Sequence, residues 1–386
     1  MAKIKVLMLI NNLGPAGAEN LLLSIARNID RDRFEMSVCY IEDDDTLAKD
    51  FEKLGVEVIG LRTKRKPDIK ALSGLYRMFR EKDIDILHTH LPYAGSLGRV
   101  VGRLAGVPKI ISTQHNVAGA FHKLTLMADK LTLPLADVVT AVSEPVEESF
   151  FGKSHPFSVD LLEKGVKTFT IYNGVDLSLI DEAIERANRR HKREEFGLGI
   201  NDPAVGIVAR LVAWKGHKDL IEAMAIVVKR RPSAKLLIVG WGELESELRD
   251  LVSKLNLQEN VIFAGRREDV YELLPIMDLF VLPYRYEGFF KGGGVGIAIM
   301  EAMAARRPVI TTDVPGISRA IINGQTGIVV PQGDSAALAE AILELLGNPQ
   351  KIRRLGEAGR QLIEENFTIQ RTVAQYEALY GALVSL

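Results

Sequence analysis

The stretch EGFFKGGGVGIAIMEAMA (287–304) gathers residues that could do chemistry: Glu287, Lys291, a run of glycines and Glu301. The apolar residues from Ile297 onward predict a helix beginning near Gly296. Its first turn carries free N–H groups and the positive end of the helix dipole. The glycines let the backbone approach a phosphate closely, and Lys291 adds a mobile charge. Glu301 is the odd member of that helix. Its neighbours three and four residues away are Ile297, Ala298, Ala304 and Ala305, so no ion pair within the helix can hold it. A carboxylate on an apolar helix needs partners from elsewhere. Sugar hydroxyls, which donate hydrogen bonds without bringing charge, suit it. A backbone cap or a distant arginine is the structural alternative.

Other polar residues fall where apolar strands end. GIVARLVAWKG yields Arg210 and Lys215 ahead of a helix near Gly216, so two cations and a helix N-terminus could meet one anion; a surface pair is the plainer reading. LLIVGWGE yields Gly240 and Gly242, and VIFAGRRED yields Gly265 and Arg266. In the first half, GPAGAEN places Gly17 before a helix, where backbone N–H groups could meet a phosphate or simply make a tight turn. DILHTH ends in His88 and His90, which share one side of a strand; the spacing could hold a metal, but no third ligand is evident, and we read hydrogen bonding or packing. PKIISTQHN ends in His115, and FTIYNGVD in Asn173 and Gly174. The acidic EDDD (42–45) resembles a metal-binding carboxylate triplet, but we read it as capping and a solvated loop.

The elements that must position these residues alternate. Short apolar runs are separated by amphipathic stretches such as GHKDLIEAMAIVVKRR and ELESELRDLVSKL. Strands this apolar imply buried parallel sheets covered by helices on both faces. Ligands of such sheets bind beyond the strands' carboxyl ends, where these residues cluster. The alternation pauses at NGVDLSLIDEAIERANRRHKREEFGLG, which sets a domain boundary near residue 176. We expect an α/β chain of two Rossmann-like, doubly wound domains facing across a cleft. They are an N-terminal, acceptor-side domain over 1–175 and a C-terminal, donor-binding domain over 176–366. A last helix over 367–386 crosses back to the first.

Bulk properties narrow the function. At 386 residues, 47% hydrophobic and 26% charged, the composition is that of a soluble globular protein of two domains. A net charge of −1 gives no general attraction for nucleic acid. The lone cysteine, Cys39, lies in an apolar strand and fits a reducing compartment. No apolar run is long enough to span a bilayer, and VLMLI is too short for a signal peptide. The expected location is the cytoplasm, with peripheral contact at the inner face of the membrane. The basic segment 62–82 is the candidate for that contact, or a solvated helix face.

The motifs ARLVAWKGHKDLIEA, LLIVGWGELESEL, VIFAGRREDV, LFVLPYRYEGF and GIAIMEAMAARRPVITTDVPG resemble the retaining glycosyltransferases of family 4, which have the GT-B fold. GAEN, DILHTH, AVSE and YNGVD agree more loosely. The resemblance implies that Arg210 and Lys215 grip a donor diphosphate, that Glu301 binds the nucleotide ribose, and that Glu287 lies near the transferred sugar. It implies that Gly296 and Ile297 cradle phosphate and sugar, that Gly17 lies in a loop closing on the donor, and that His115 stands near the reaction centre. Gly240 and Arg266 fall in its donor-binding motifs. It implies catalysis without a metal or other cofactor, from a UDP- or GDP-sugar to a glycan, lipid-linked or small-molecule acceptor. Two departures stand out. Thirteen residues separate Glu287 from Glu301 where the family usually has seven, as if FKGGGV were inserted, and Ala209 replaces a usual glycine. The rival readings are a sugar-nucleotide epimerase on the same fold and a non-catalytic sugar-nucleotide binder.

Overall fold

The structure, a computed structural model, describes residues 2–63, 69–285 and 296–385. Glu287 and Lys291 lie outside the described residues. The chain divides into two compact units, one of Met1–Gly174 with Ile369–Leu386 and one of Val175–Thr368.

The first unit is built on seven parallel strands: β1 (Ile4–Ile10), β2 (Phe34–Glu42), β3 (Glu57–Thr63), β4 (Ile86–His90), β5 (Lys109–Gln114), β6 (Val138–Ala141) and β7 (Thr168–Thr170). They lie in the order β3-β2-β1-β4-β5-β6-β7. The second unit has six: β8 (Ala204–Val208), β9 (Lys235–Val239), β10 (Val261–Gly265), β11 (Leu279–Leu282), β12 (Val309–Thr312) and β13 (Ile328–Val330), in the order β10-β9-β8-β11-β12-β13. Both orders run outward, then return past the first strand. That reversal creates a switch point between β1 and β4 and another between β8 and β11, where a doubly wound sheet opens a crevice at its carboxyl edge.

Register is fixed by apolar burial and by one recurring device. Asp85, Asp137 and Asp278 each stand one residue before a strand. Each carboxylate accepts a hydrogen bond from the backbone N–H of a residue on the neighbouring strand: Lys5 at 2.7 Å, Ile110 at 2.7 Å and Ala204 at 2.8 Å. The carbonyl of that same residue accepts the aspartate's own N–H, at 3.0, 2.8 and 2.7 Å. Such two-point clasps pin β4 to β1, β6 to β5 and β11 to β8, since a one-residue slip would forfeit both bonds.

The last helix, Ile369–Ser385, completes the first unit. Its Ile369, Val373, Tyr376, Leu379, Tyr380 and Leu383 enter the core formed by β1, β2 and helix Gly17–Asn28. The segment FFGKSHPFSVDLLEKGVK ends one helix and forms another, Val159–Glu163, between β6 and β7. No described helix is long and apolar enough to cross a membrane.

Candidate functional site

In the second unit the chain passes β8 still paired to its neighbour. Ala209 N–H donates to the Val239 carbonyl at 3.0 Å and Leu211 N–H to the Trp241 carbonyl at 2.9 Å. This approach explains the glycines. A β-carbon at Gly240, which has φ +144°, would lie 1.9 Å from the Ala209 carbonyl oxygen, and one at Gly242 would lie 2.4 Å from that of Leu211. The backbone contact thus requires Gly240 on packing grounds alone. Between these fixed points Arg210 is exposed at the rim, and among the described residues no carboxylate pairs with it.

Lys215 ends a short turn, Ala213–Lys215. Gly216, at φ +70°, then starts helix His217–Arg230; a β-carbon there would fall 1.8 Å from the Pro283 carbonyl. The Lys215 ammonium sits 4.0 Å from the centre of the Trp214 ring and 4.6 Å from that of Tyr284, two rings almost parallel at 8°. It donates to the Tyr284 hydroxyl at 3.4 Å. Among the described residues no carboxylate pairs with this cation either. Burial, and then the Arg210 charge, draws its pKa down to about 7. The turn is held from behind: Arg285 donates its backbone N–H to the Trp214 carbonyl at 3.0 Å, and its guanidinium bonds the buried Asp219 carboxylate at 2.6 Å. His217, also buried, has neither ring nitrogen bonded among the described residues, and burial lowers its pKa to about 4.

Helix Ile297–Ala304 begins as expected, with Gly296, which has no side chain to cap it, at its N-cap. Gly296 has a second constraint: a β-carbon there would lie 2.0 Å from the Tyr284 hydroxyl. The glycine at the helix start therefore admits the tyrosine that receives Lys215. Ile297 is the first helical residue. Glu301, one turn on, accepts a hydrogen bond from the Tyr271 hydroxyl at 3.0 Å. Its partner among the described residues is thus a neutral hydroxyl from within the protein. Burial raises its pKa to about 7, and the phenol only partly offsets this. At the ends of β9 and β10, Arg266 lies over the Trp241 ring, 5.0 Å from its centre.

In the first unit Gly17 opens helix Gly17–Asn28 and is exposed. The three histidines come together. His88 bonds Thr113 at 2.6 Å and Tyr380, from the last helix, at 2.8 Å. His90 stacks 4.1 Å from His88 and bonds the ring of His115 at 3.1 Å. Burial lowers the pKa of His88 to about 3 and of His115 to about 4, so both are neutral at pH 7. After His90 the chain turns through Leu91 at φ +66°, a costly conformation for a branched residue. The EDDD acids serve the turn: Glu42 bonds Asn12, Asp44 bonds Thr46 and Asp45 bonds Arg62.

Sequence reasoning missed the aromatic residues Trp214, Tyr284 and Tyr271. Two had a visible signal: Trp214 directly precedes Lys215, and Tyr284 follows the end of β11. Tyr271 had none, because its hydroxyl reaches Glu301 from a separate helix, Val270–Leu273.

Comparison with known proteins places this arrangement. Residues 188–362 match the family model for glycosyl transferases group 1, and residues 15–179 that for glycosyltransferase family 4. A Corynebacterium glutamicum GDP-mannose-dependent monoacylated alpha-(1-6)-phosphatidylinositol monomannoside mannosyltransferase is 32% identical over 310 residues, 75% of this chain and 74% of that one. An N-acetyl-alpha-D-glucosaminyl L-malate synthase of Bacillus anthracis is 28% identical over 319 residues, 81% and 78% of the two chains. Among solved structures, Anabaena HepE in complex with UDP and glucose superposes with a TM-score of 0.82 at 22% identity, over 98% of this chain and 99% of that one. The chain belongs to the group 1, family 4 glycosyltransferases and is an enzyme of that class with the GT-B fold.

Proposed function

We propose that the enzyme moves a sugar, with retention of anomeric configuration, from a nucleoside-diphosphate sugar to an acceptor hydroxyl. One observation carries this reading: among the described residues Arg210 and Lys215 have no acidic partner, and near Lys215 a helix starts at a glycine N-cap that brings no capping side chain. Two unpaired cations and a helix dipole suit a diphosphate. Glu301, bonded by a phenol alone among the described residues, suits a ribose hydroxyl.

In this reaction the bond between the anomeric carbon and the phosphate oxygen breaks, and a bond from the acceptor oxygen forms on the same face. Negative charge grows on the departing diphosphate. Arg210, Lys215 and the Gly296 helix end meet it, so no metal ion is invoked. The acceptor's proton passes to the leaving phosphate oxygen. The aromatic pair Trp214 and Tyr284 holds the Lys215 ammonium in place before the donor arrives, sparing its ordering. Arg266, over the Trp241 ring, contributes to the donor site.

The named relatives use donors and acceptors of different kinds: the C. glutamicum enzyme uses GDP-mannose and a lipid acceptor, and HepE was crystallised with UDP. We assign this chain a UDP- or GDP-sugar donor and a glycan or lipid-linked acceptor, in polysaccharide or glycolipid synthesis at the inner face of the cell membrane. The test is a screen of UDP- and GDP-sugars for hydrolysis, transfer and thermal stabilisation, with Lys215→Ala and Glu301→Ala alongside. Each variant should lose about 100-fold or more in kcat/KM. Near-normal transfer by both refutes the assignment. A new sugar nucleotide formed from donor alone would identify an epimerase instead.

A further inference from the structure

Helix Lys123–Thr132 (KLTLMADKLT) is inside out. Its single buried residue is Asp129, whose carboxylate meets Arg99 at 2.6 Å with both side chains fully buried. Arg99 also bonds Ser112 at 2.6 Å and Thr132 at 2.7 Å. The acid therefore anchors the helix, and its apolar residues turn outward. Leu124 is 65% exposed, Met127 55% and Leu131 73%. At spacings of three and four they form one stripe along the helix. Helix Pro92–Ala105, packed directly against it, meets it through the Arg99 face and not through the stripe. A water-facing helix normally has the reverse polarity, and contiguous apolar surface of this kind marks a contact.

Charge identifies what covers it. Lys123 and Lys130 flank the stripe, are exposed, and have no acidic partner among the described residues. The nearby Asp137 is already paired, to Arg103 at 2.7 Å. A second copy of this chain meeting face to face would bring four unmatched lysines together with no acid to answer them. An anionic bilayer answers both features, since the leucines enter the acyl boundary while the lysines reach headgroup phosphates. We propose that the outward face of helix Lys123–Thr132 binds the enzyme to a membrane surface of anionic phospholipid. This deepens the lipid-linked acceptor in the proposed function. It also moves the contact from segment 62–82, where the sequence suggested it, to a helix that carried no such signal.

The full-length chain is sedimented with vesicles of phosphatidylcholine alone or mixed with phosphatidylglycerol, without donor or acceptor. Binding is expected only to the mixed vesicles and should weaken with salt. The variant Leu124→Ser/Met127→Ser/Leu131→Ser should bind at least about tenfold more weakly. Lys123→Gln/Lys130→Gln should lose roughly 25-fold, about fivefold per lysine near an anionic surface. Circular dichroism melts confirm that the variants fold. Arg77→Gln/Arg80→Gln, on helix Ile69–Glu81 within segment 62–82, should keep most of the affinity. The proposal is overturned if the wild type ignores the mixed vesicles, or if the serine variant binds them as the wild type does. It is overturned equally if only the Arg77/Arg80 variant loses binding, or if light scattering shows a dimer that the serine variant breaks while vesicles are ignored. Donor binding, measured in the same variants, should be unchanged. It reports on the transferase reading independently of the outcome with vesicles.

Discussion

Raising the pH above 7 should loosen this enzyme's hold on a nucleoside diphosphate, and Lys215 is the reason. Burial and the neighbouring Arg210 lower its pKa from an ordinary 10.5 to about 7. A diphosphate binds the charged form far better than the neutral amine, so affinity follows the protonated fraction. That fraction is about one half at pH 7, one tenth at pH 8 and one hundredth at pH 9. The dissociation constant for UDP or GDP should therefore rise about fivefold over the first unit and about tenfold over the next. Binding above pH 7 must also take up a proton, because the bound anion raises the lysine's pKa. Titration calorimetry in two buffers of different ionisation enthalpy measures both quantities. Lys215→Met should bind weakly with no such slope. The sign reverses for folding. Between pH 7 and 10.5 the unfolded chain holds the lysine proton and the folded chain does not, so this group adds stability as pH rises through that window. An affinity that is flat over the range, or a slope that survives in Lys215→Met, would refute the reasoning.

Glu301 offers a stability gain at the expense of binding. Its pKa of about 7 exceeds the ordinary 4.5, so the folded chain holds the extra proton between these values. The resulting stability is fully present below 4.5 and lost as pH rises through 7. Glu301→Gln should raise unfolding stability above pH 7 by about 2 kcal/mol while weakening nucleotide binding, as read by denaturant titration and calorimetry. Gly296→Ala should cost about 1–3 kcal/mol through collision with the Tyr284 hydroxyl, and adding Tyr284→Phe should recover part of the loss. Arg99→Met strands the Asp129 carboxylate and should cost about 3–5 kcal/mol in chemical denaturation, whereas the double variant with Asp129→Leu should regain most of it.

The sequence was most legible where a single element carries the information. The alternating apolar runs became strands, thirteen among the described residues, because buried parallel strands need near-continuous apolar side chains. The Gly296 helix start was equally plain from its glycine and the apolar run behind it. Legibility failed where an answer depends on which elements meet. Glu301 visibly lacked a partner within its helix, but Tyr271 could not be named. DILHTH showed two histidines on one side of a strand, yet His88 finds Tyr380 from 292 residues away. Nothing in KLTLMADKLT marks its leucines as outward-facing. Only Arg99, placed by another helix, decides that the aspartate turns inward instead.

The helix that brings Tyr380 to His88 also orders events during synthesis. Everything else in the first unit leaves the ribosome before residue 175, but that unit's core waits for residues 369–383. The second unit, contiguous in sequence, can close as soon as it is made. The half of the enzyme translated first thus matures last, with a groove along β1 and helix Gly17–Asn28 standing open until the closing helix arrives.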